Sequence, residues 1–390
     1  MKLTAGLSLA YCTNVHRGEG WVETFAGLRD HALRVRDRVS PGQTYVLGLR
    51  LGDRAAAELA DPATLTAFRH WLDREDCVVA GINGFPFGPF HGQAVKDNVF
   101  APDWCEPARL EYTKRLFDLL AAFGPPDKVG TVSTLPGSFK GFGRNADELK
   151  VMRSNLLACG EHLDRLRDRT GVTLRLALEP EPIGHAENTP EAIRLFEQLR
   201  AEEPSKGLVD RTLGIAYDTC HFALQYEQAH EAISRLDAGG APVLKFHLSS
   251  ALRLKPTEVA LARLAKMHEP VYLHQTMGRA KDGSIVRFKD IPLAMAAIDQ
   301  LRTLEELRVH FHVPVNADHL SDELSTTNDH LRDAIAVIGK NPGRCRELEI
   351  ETYTWEVLPA EVRTADVADM IAAEYRWTLA ELAKAGVKPL

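Results

Sequence analysis

Four short stretches end by presenting a side chain able to ligate a metal: Glu179 in TLRLALEP, Asp218 in LGIAYDTCHF, His247 in PVLKFHLSS and Glu351 in LEIETYTW. Each stretch is otherwise largely apolar, and an ionisable group buried in such company is costly unless it is paired or bound to a cation. Three carboxylates brought together repel and force protonation, whereas a divalent ion neutralises them and accepts mixed oxygen and nitrogen ligands. The set therefore predicts a metal centre holding Mn²⁺ or Zn²⁺. The competing reading is a buried cluster of structural ion pairs, for which three acids with one imidazole lack enough cationic partners.

Convergence of the four demands a scaffold, and the period of two along a strand supplies it. In TLRLALEP, Leu174, Leu176 and Leu178 share one face, and Arg175, Ala177 and Glu179 the other. The same count sends Leu213, Ile215 and Tyr217, then Leu244, Phe246 and Leu248, then Leu348 and Ile350, outward toward helices. It leaves Gly214, Ala216 and Asp218, then Lys245, His247 and Ser249, then Glu349 and Glu351, facing inward. In a parallel barrel all strand C-termini open at one end, so the four ligands can meet there. Lys245 and Glu349, two residues below that layer, are expected to form an interior ion pair.

The rest of the chain fits such a barrel. Short apolar runs at 3–12, 44–51, 77–85, 128–135, 173–180, 212–219 and 242–250 alternate with segments of helical period such as ARLEYTKRLFDLLAAF. That alternation implies βαβ units and a parallel sheet. After residue 250 it breaks down: VYLHQTM and SIVRFKD flank GRAKDG as a hairpin, followed by VHFHVP, a helix from about 327 to 338, and LEIETYTW. The expected fold is α/β, a single (β/α)8 TIM barrel over 1–390. An insertion of a hairpin and an extra strand, about 252–345, falls between strands 7 and 8, and LEIETYTW rather than VHFHVP closes the barrel.

Further candidates surround the predicted centre. His221, just past its strand, is read as a hydrogen-bond partner of a ligand, a substrate contact or a ligand to a second ion. Glu181 is either a ligand or a loop acid. His310 and His312 alternate in VHFHVP and so share a face, which suits zinc, a polyol contact or a packed polar layer. His16 and His91 lie in loops following strands, where substrate residues of barrels sit. His274 and Gln275 belong to the hairpin, which is expected to act as a mobile lid over the barrel mouth.

Composition limits the alternatives. The 390 residues carry a formal charge of -7, with arginines interleaved among acids, which argues against a nucleic-acid partner. Six widely spaced cysteines without a CxxC pair read as reduced thiols of a cytoplasmic protein, and no membrane span is expected.

LEP at 178–180, DTCH at 218–221, the strand-end His247 and IET at 350–352, in that order, resemble the metal-binding strand ends of the xylose-isomerase-like TIM-barrel superfamily. That superfamily includes sugar epimerases and isomerases and the zinc-dependent apurinic endonucleases. Within it, AYCTNVHRGEGW, NGFPFGPFHG, VKDNVFAPDW, STLPGSF, YDTCHFA, LHQ, VHFHVP and IETYTWEVLP make nearly the whole chain look like the EboE family of metabolite traffic proteins of the ebo gene cluster. The resemblance implies a metal-dependent isomerase or epimerase in secondary metabolism, acting on a small polyhydroxylated carbonyl compound, sugar or cyclitol. Glu179 and Glu351 would be the groups that move a proton. Two alternatives stay open: a non-catalytic, metal-containing metabolite carrier, and a metal-dependent phosphodiester hydrolase of the apurinic-endonuclease type.

Overall fold

Seven of the apolar runs fold as strands: β1 (Ser8–Tyr11), β2 (Tyr45–Arg50), β3 (Cys77–Asn83), β4 (Val129–Thr134), β5 (Thr173–Leu178), β6 (Leu213–Asp218) and β7 (Val243–Leu248). The computed structural model describes residues 1–88, 96–353 and 366–390. After β7 the chain forms β8 (Leu252–Leu254), β9 (Thr276–Arg279), β10 (Ile285–Phe288), β11 (Glu306–Val309) and β12 (Ser325–Thr326), then returns as β13 (Glu347–Ile350). The parallel sheet runs β1-β13-β7-β6-β5-β4-β3-β2, and a single parallel bridge from Cys12 to Gly48 joins its two ends. The eighth barrel strand is therefore β13, while the VHFHVP segment follows β11 in a separate antiparallel sheet, β10-β9-β11-β8-β12.

Helices cover the outer face for the reasons the sequence suggests. The helix Ala146–Thr170 starts at Asn145, whose side chain accepts from the Asp147 and Glu148 amides, with Glu148 returning a bond to the Asn145 amide. It stops at Gly171, whose φ of 70° closes the last turn. Leu174, Leu176 and Leu178 of β5 are buried with Leu156, Leu157 and Leu163 of that helix in the main core, each contributing about 1.5–3 kcal/mol of apolar burial. A second core, including Leu252, Leu261, Leu307, Val309 and Phe311, forms around the antiparallel sheet.

Two bulges alter the simple alternation. Between β6 and β7 the register passes from Ile215↔Val243 to Ala216↔Lys245, so Leu244 is an extra residue. It packs with Ala177 and Ala216 in the barrel interior, which corrects the expectation that Leu244 points to the helices. Between β2 and β3 the same slip makes Ala80 the extra residue, and Gly48 then pairs with Gly81.

These two glycines make room for the interior layer of acids. A Cβ on Gly48 would lie 2.1 Å from both Glu349 Oε1 and the Tyr11 carbonyl oxygen, and one on Gly81 would lie 2.0 Å from Glu347 Oε2. Because the Tyr11 obstacle is backbone, Gly48→Ala is expected to cost at least about 1–3 kcal/mol through overpacking. Chemical denaturation of the two proteins side by side checks this; equal midpoints would show that the barrel opens to accept the methyl.

Candidate metal centre

β5, β6, β7 and β13 deliver Glu179, Asp218, His247 and Glu351 to one place, with one ligand atom from each lying within 4.8 Å of the others. All four are buried. His247 Nδ1 is 2.8 Å from Glu179 Oε1, 3.3 Å from Glu351 Oε2 and 3.9 Å from Asp218 Oδ2.

The remaining atoms of these acids are held in place. Asp218 caps the following short helix: its Oδ1 accepts from the His221 amide at 2.9 Å and from Ser249 Oγ at 2.7 Å. Its Oδ2 is buried without a hydrogen-bond partner. Glu351 Oε1 accepts from Asn14 Nδ2 at 2.8 Å and Asn83 Nδ2 at 3.2 Å, leaving Oε2 toward His247. A costly orphan oxygen pointing at a group of carboxylates fits a cation at this position.

Electrostatics agree. Burial raises the Glu351 carboxyl well above its ordinary range, and Glu179 and Asp218 add to this against the opposing pull of His247. Burial would lower the His247 imidazolium, but Glu179 and Glu351 outweigh it and hold the ring protonated well above the usual pH. For Asp218, burial opposes ionisation, yet His221, His312 and His247 win and keep it a carboxylate. In this first group the ring that answers the acids with a proton is His247.

A second group adjoins the first. His221 Nδ1 lies 3.1 Å from the Pro180 carbonyl oxygen and His312 Nδ1 lies 2.9 Å from the Glu351 carbonyl oxygen. A carbonyl only accepts, so both Nδ1 atoms carry the proton. His310 Nδ1 is 2.6 Å from Gln275 Oε1, whose amide orientation is fixed because its Nε2 donates to the Pro182 carbonyl and to Glu181. His310 is therefore protonated at Nδ1 as well. All three Nε2 lone pairs face inward, with His310 Nε2 at 3.1 Å from each of the other two.

Neutral rings in that arrangement repel, and adding a proton is unfavourable. Burial, reinforced by His221, His312 and His274, holds His310 well below its ordinary pKa, and burial brings His312 down to about 4. Glu181 is within reach of His221 and His310 and is pushed up to about 7, chiefly by burial. Glu181 with His221 and His310, and Asp218 with His221 and His312, each bring one carboxylate and two imidazoles within 4.8 Å of one another, a donor mix that suits a divalent transition metal.

Both groups open into a cavity of about 570 Å³ including its mouth. Its floor is Glu179, Glu181, His221, His310, His312 and Glu351; its walls include Phe85, Pro86, Val99, Tyr272, Leu273 and Tyr353. Lys96 also lines it, with Nζ bonded to Asp290 at 2.7 Å and to the Tyr272 carbonyl at 2.8 Å.

Not every sequence candidate arrives here. His16 bonds through Nε2 to the Tyr11 hydroxyl at 2.7 Å and stacks on His31, beside a different depression near Thr13 and Arg50. His274 is a support: its ring spans two acceptors, the His310 carbonyl at Nδ1 and the Glu269 carboxylate at Nε2, and stacks on Phe311. Gln275 fixes the His310 tautomer. His91 lies outside the described residues.

The hairpin expected to act as a lid is anchored along its first strand. β9 pairs with β10 on one side and β11 on the other, so the hairpin's first strand is interior to a sheet. Amide exchange at 276–279 should therefore be as slow as in the barrel strands and fast only in the exposed turn at 281–284. Rapid exchange throughout 276–288 would restore a mobile lid.

Asn14 and Asn83, which hold Glu351, were not singled out by strand counting, which did place Ser249, the partner of Asp218, on the inward face. Asn83 ends β3 on the inward face, so the rule applied to the four ligand strands would have found it there. Asn14 sits in the loop after β1 and gives no such local signal.

No family model and no curated protein matches the chain. Solved structures do. A xylose-isomerase-like TIM-barrel protein from Mycobacterium smegmatis in complex with magnesium aligns over 98% of both chains at 11% identity, with a TM-score of 0.53. A D-tagatose 3-epimerase-like protein aligns over 97% of this chain and all of its own at 10% identity, with a TM-score of 0.50. The protein has the xylose-isomerase-like TIM-barrel fold. Among the described residues no helix is long and apolar enough to cross a membrane.

Proposed function

We propose that this protein is a divalent-metal-dependent isomerase or epimerase of a small polyhydroxylated carbonyl compound, a sugar or cyclitol. The observation that carries the reading is the orphaned Asp218 Oδ2 within a buried set of three carboxylates and one imidazole at the floor of an open cavity. A divalent ion, Mn²⁺ or Zn²⁺, held by Glu179, Asp218, His247 and Glu351 would polarise adjacent oxygens of the substrate and lower the energy of an enediolate-like state. The magnesium complex and the epimerase-like protein among the structural neighbours support a metal and a sugar-like substrate for this reading. The resemblance to the EboE family supports a role in secondary metabolism for this reading.

Within this reading, Glu179 and Glu351 exchange the proton at carbon, because a carboxylate can ligate and still accept a proton. Asn14 and Asn83 hold Glu351 Oε1, so its Oε2 is the oxygen left for chemistry. Asp218, tied down by Ser249 and the helix start, serves only to bind. The three imidazoles of His221, His310 and His312, with Glu181, hold a second ion or, without one, substrate hydroxyls. The walls of Phe85, Tyr272 and Tyr353 exclude water and take the less polar face of a ring.

The test is isotope exchange. Wild-type protein loaded with Mn²⁺ or Zn²⁺ and incubated in D₂O with ketoses and cyclitol ketones should place deuterium beside a carbonyl. The three-imidazole group favours a second reading, metal-assisted phosphodiester hydrolysis, against which the net charge of -7 counts. Cleavage of a fluorescent abasic duplex without any exchange would select that reading. A sugar or cyclitol that co-purifies unchanged, with neither activity, would select a carrier.

A further inference from the structure

Below the metal layer lies a second charged layer that the reaction does not use. Lys245 Nζ forms an ion pair with Glu349 Oε2, and both side chains are almost wholly buried in the barrel interior. Glu347, one pleat further down, accepts from Thr131 Oγ1 at 2.9 Å. Burying an ion pair seldom stabilises a fold by itself, so its position needs another reason.

Glu349 lies opposite His247 in the β13–β7 register. The imidazole turns its Nδ1 toward Glu179, Glu351 and Asp218, and its Nε2 toward Glu349 Oε2 at 3.5 Å. His247 Nε2 is buried with no hydrogen-bond partner, and so is Glu349 Oε1. If Nδ1 ligates, the neutral ring must carry its proton on Nε2, and Glu349 is the acceptor facing that atom. A small ring movement closes the 3.5 Å gap. The carboxylate has this place only because Gly48 lacks a side chain: any Cβ there would stand 2.1 Å from Glu349 Oε1.

We infer that the Lys245–Glu349 pair is a positioning device that fixes His247 as an Nδ1 ligand by accepting a hydrogen bond from its Nε2–H from beneath the site. It rests on the metal reading above. Glu349 orients the ring and strengthens its donor atom, as carboxylates behind ligating histidines do. Lys245 pairs with Glu349 Oε2 and so holds the acid aimed at the ring. Neither residue touches substrate.

The test measures metal affinity by competition with a chromophoric chelator, together with the imidazole resonances of ¹⁵N-histidine-labelled, Zn²⁺-loaded protein. Glu349→Leu should weaken metal binding about 10–100-fold, the effect typical of lost outer partners, and shift or lose the His247 Nε2–H signal. Glu349→Gln, which keeps an acceptor oxygen, should restore most of both. Because Glu349→Leu leaves Lys245 buried and unpaired, the double variant K245M/E349L removes the pair as a neutral unit that folds more readily. It should show the same loss of affinity and of signal. Wild-type affinity in the folded double variant, or an unchanged Nε2–H resonance, would overturn the inference while leaving the metal reading intact. If wild-type protein takes up no divalent ion, the metal reading falls first and this one with it.

Discussion

Replacing Asp218 or His247 with alanine is expected to strip the protein of its ion. Each residue contributes an atom to the buried set within 4.8 Å; Asp218 Oδ2 has no hydrogen-bond partner, and His247 is the only nitrogen among the four. Loss of a direct ligand should exceed the 10–100-fold effect of an outer partner, so affinity should fall by more than about a hundredfold. Elemental analysis after gentle purification reads the outcome, with Mn²⁺ or Zn²⁺ added back. Wild-type protein that stays substoichiometric after addition, or variants that retain a full ion, would leave the four residues as structural ion pairs. A control comes from His16→Ala: that ring bonds to Tyr11 away from the cavity, and metal content should not change.

The second large effect separates binding from chemistry. Glu179→Gln and Glu351→Gln keep an oxygen able to ligate but cannot accept a proton. Each should reduce the rate of deuterium incorporation by about 10²–10⁴-fold, the usual contribution of a positioned acid or base, while metal content falls much less. Glu179 provides the sharper case, because at Glu351 the Asn14 and Asn83 amides donate to one oxygen and would draw the glutamine carbonyl to themselves, turning its NH2 toward the ion and costing some metal as well. Exchange that survives both substitutions at the wild-type rate would remove these residues from the proton transfers. Exchange lost in one variant alone would instead indicate a single base acting on both faces.

The convergence of the four candidate ligands was legible in the sequence because it depends on a local property. A strand alternates its faces whatever surrounds it, so apolar companions on one face and Glu179, Asp218, His247 and Glu351 ending the other reveal an inward row without any knowledge of contacts. The interior pairing of Lys245 with Glu349 followed from the same count. The alternation of strands with helices, broken after residue 250, indicated the barrel and its additional segment for the same reason. Leu244 shows where that logic stops: it is the one extra residue between Val243 and Lys245 relative to Ile215 and Ala216 and so turns inward, and a bulge depends on how two neighbouring strands slide past each other.

Tertiary structure alone decided what each histidine does. His16, His274, His310 and His312 are alike as sequence signals, yet His274 props the wall, His16 lies elsewhere, and His310 and His312 face His221 with their lone pairs. Those roles are set by which carbonyl or amide meets each Nδ1: Pro180, Gln275 and Glu351 for the converging three. Such partners come from loops distant in the chain, whose paths are fixed by packing rather than by any period in their own residues. Asn14 is 337 residues from the Glu351 oxygen it holds, and only closure of β1 against β13 brings the two together.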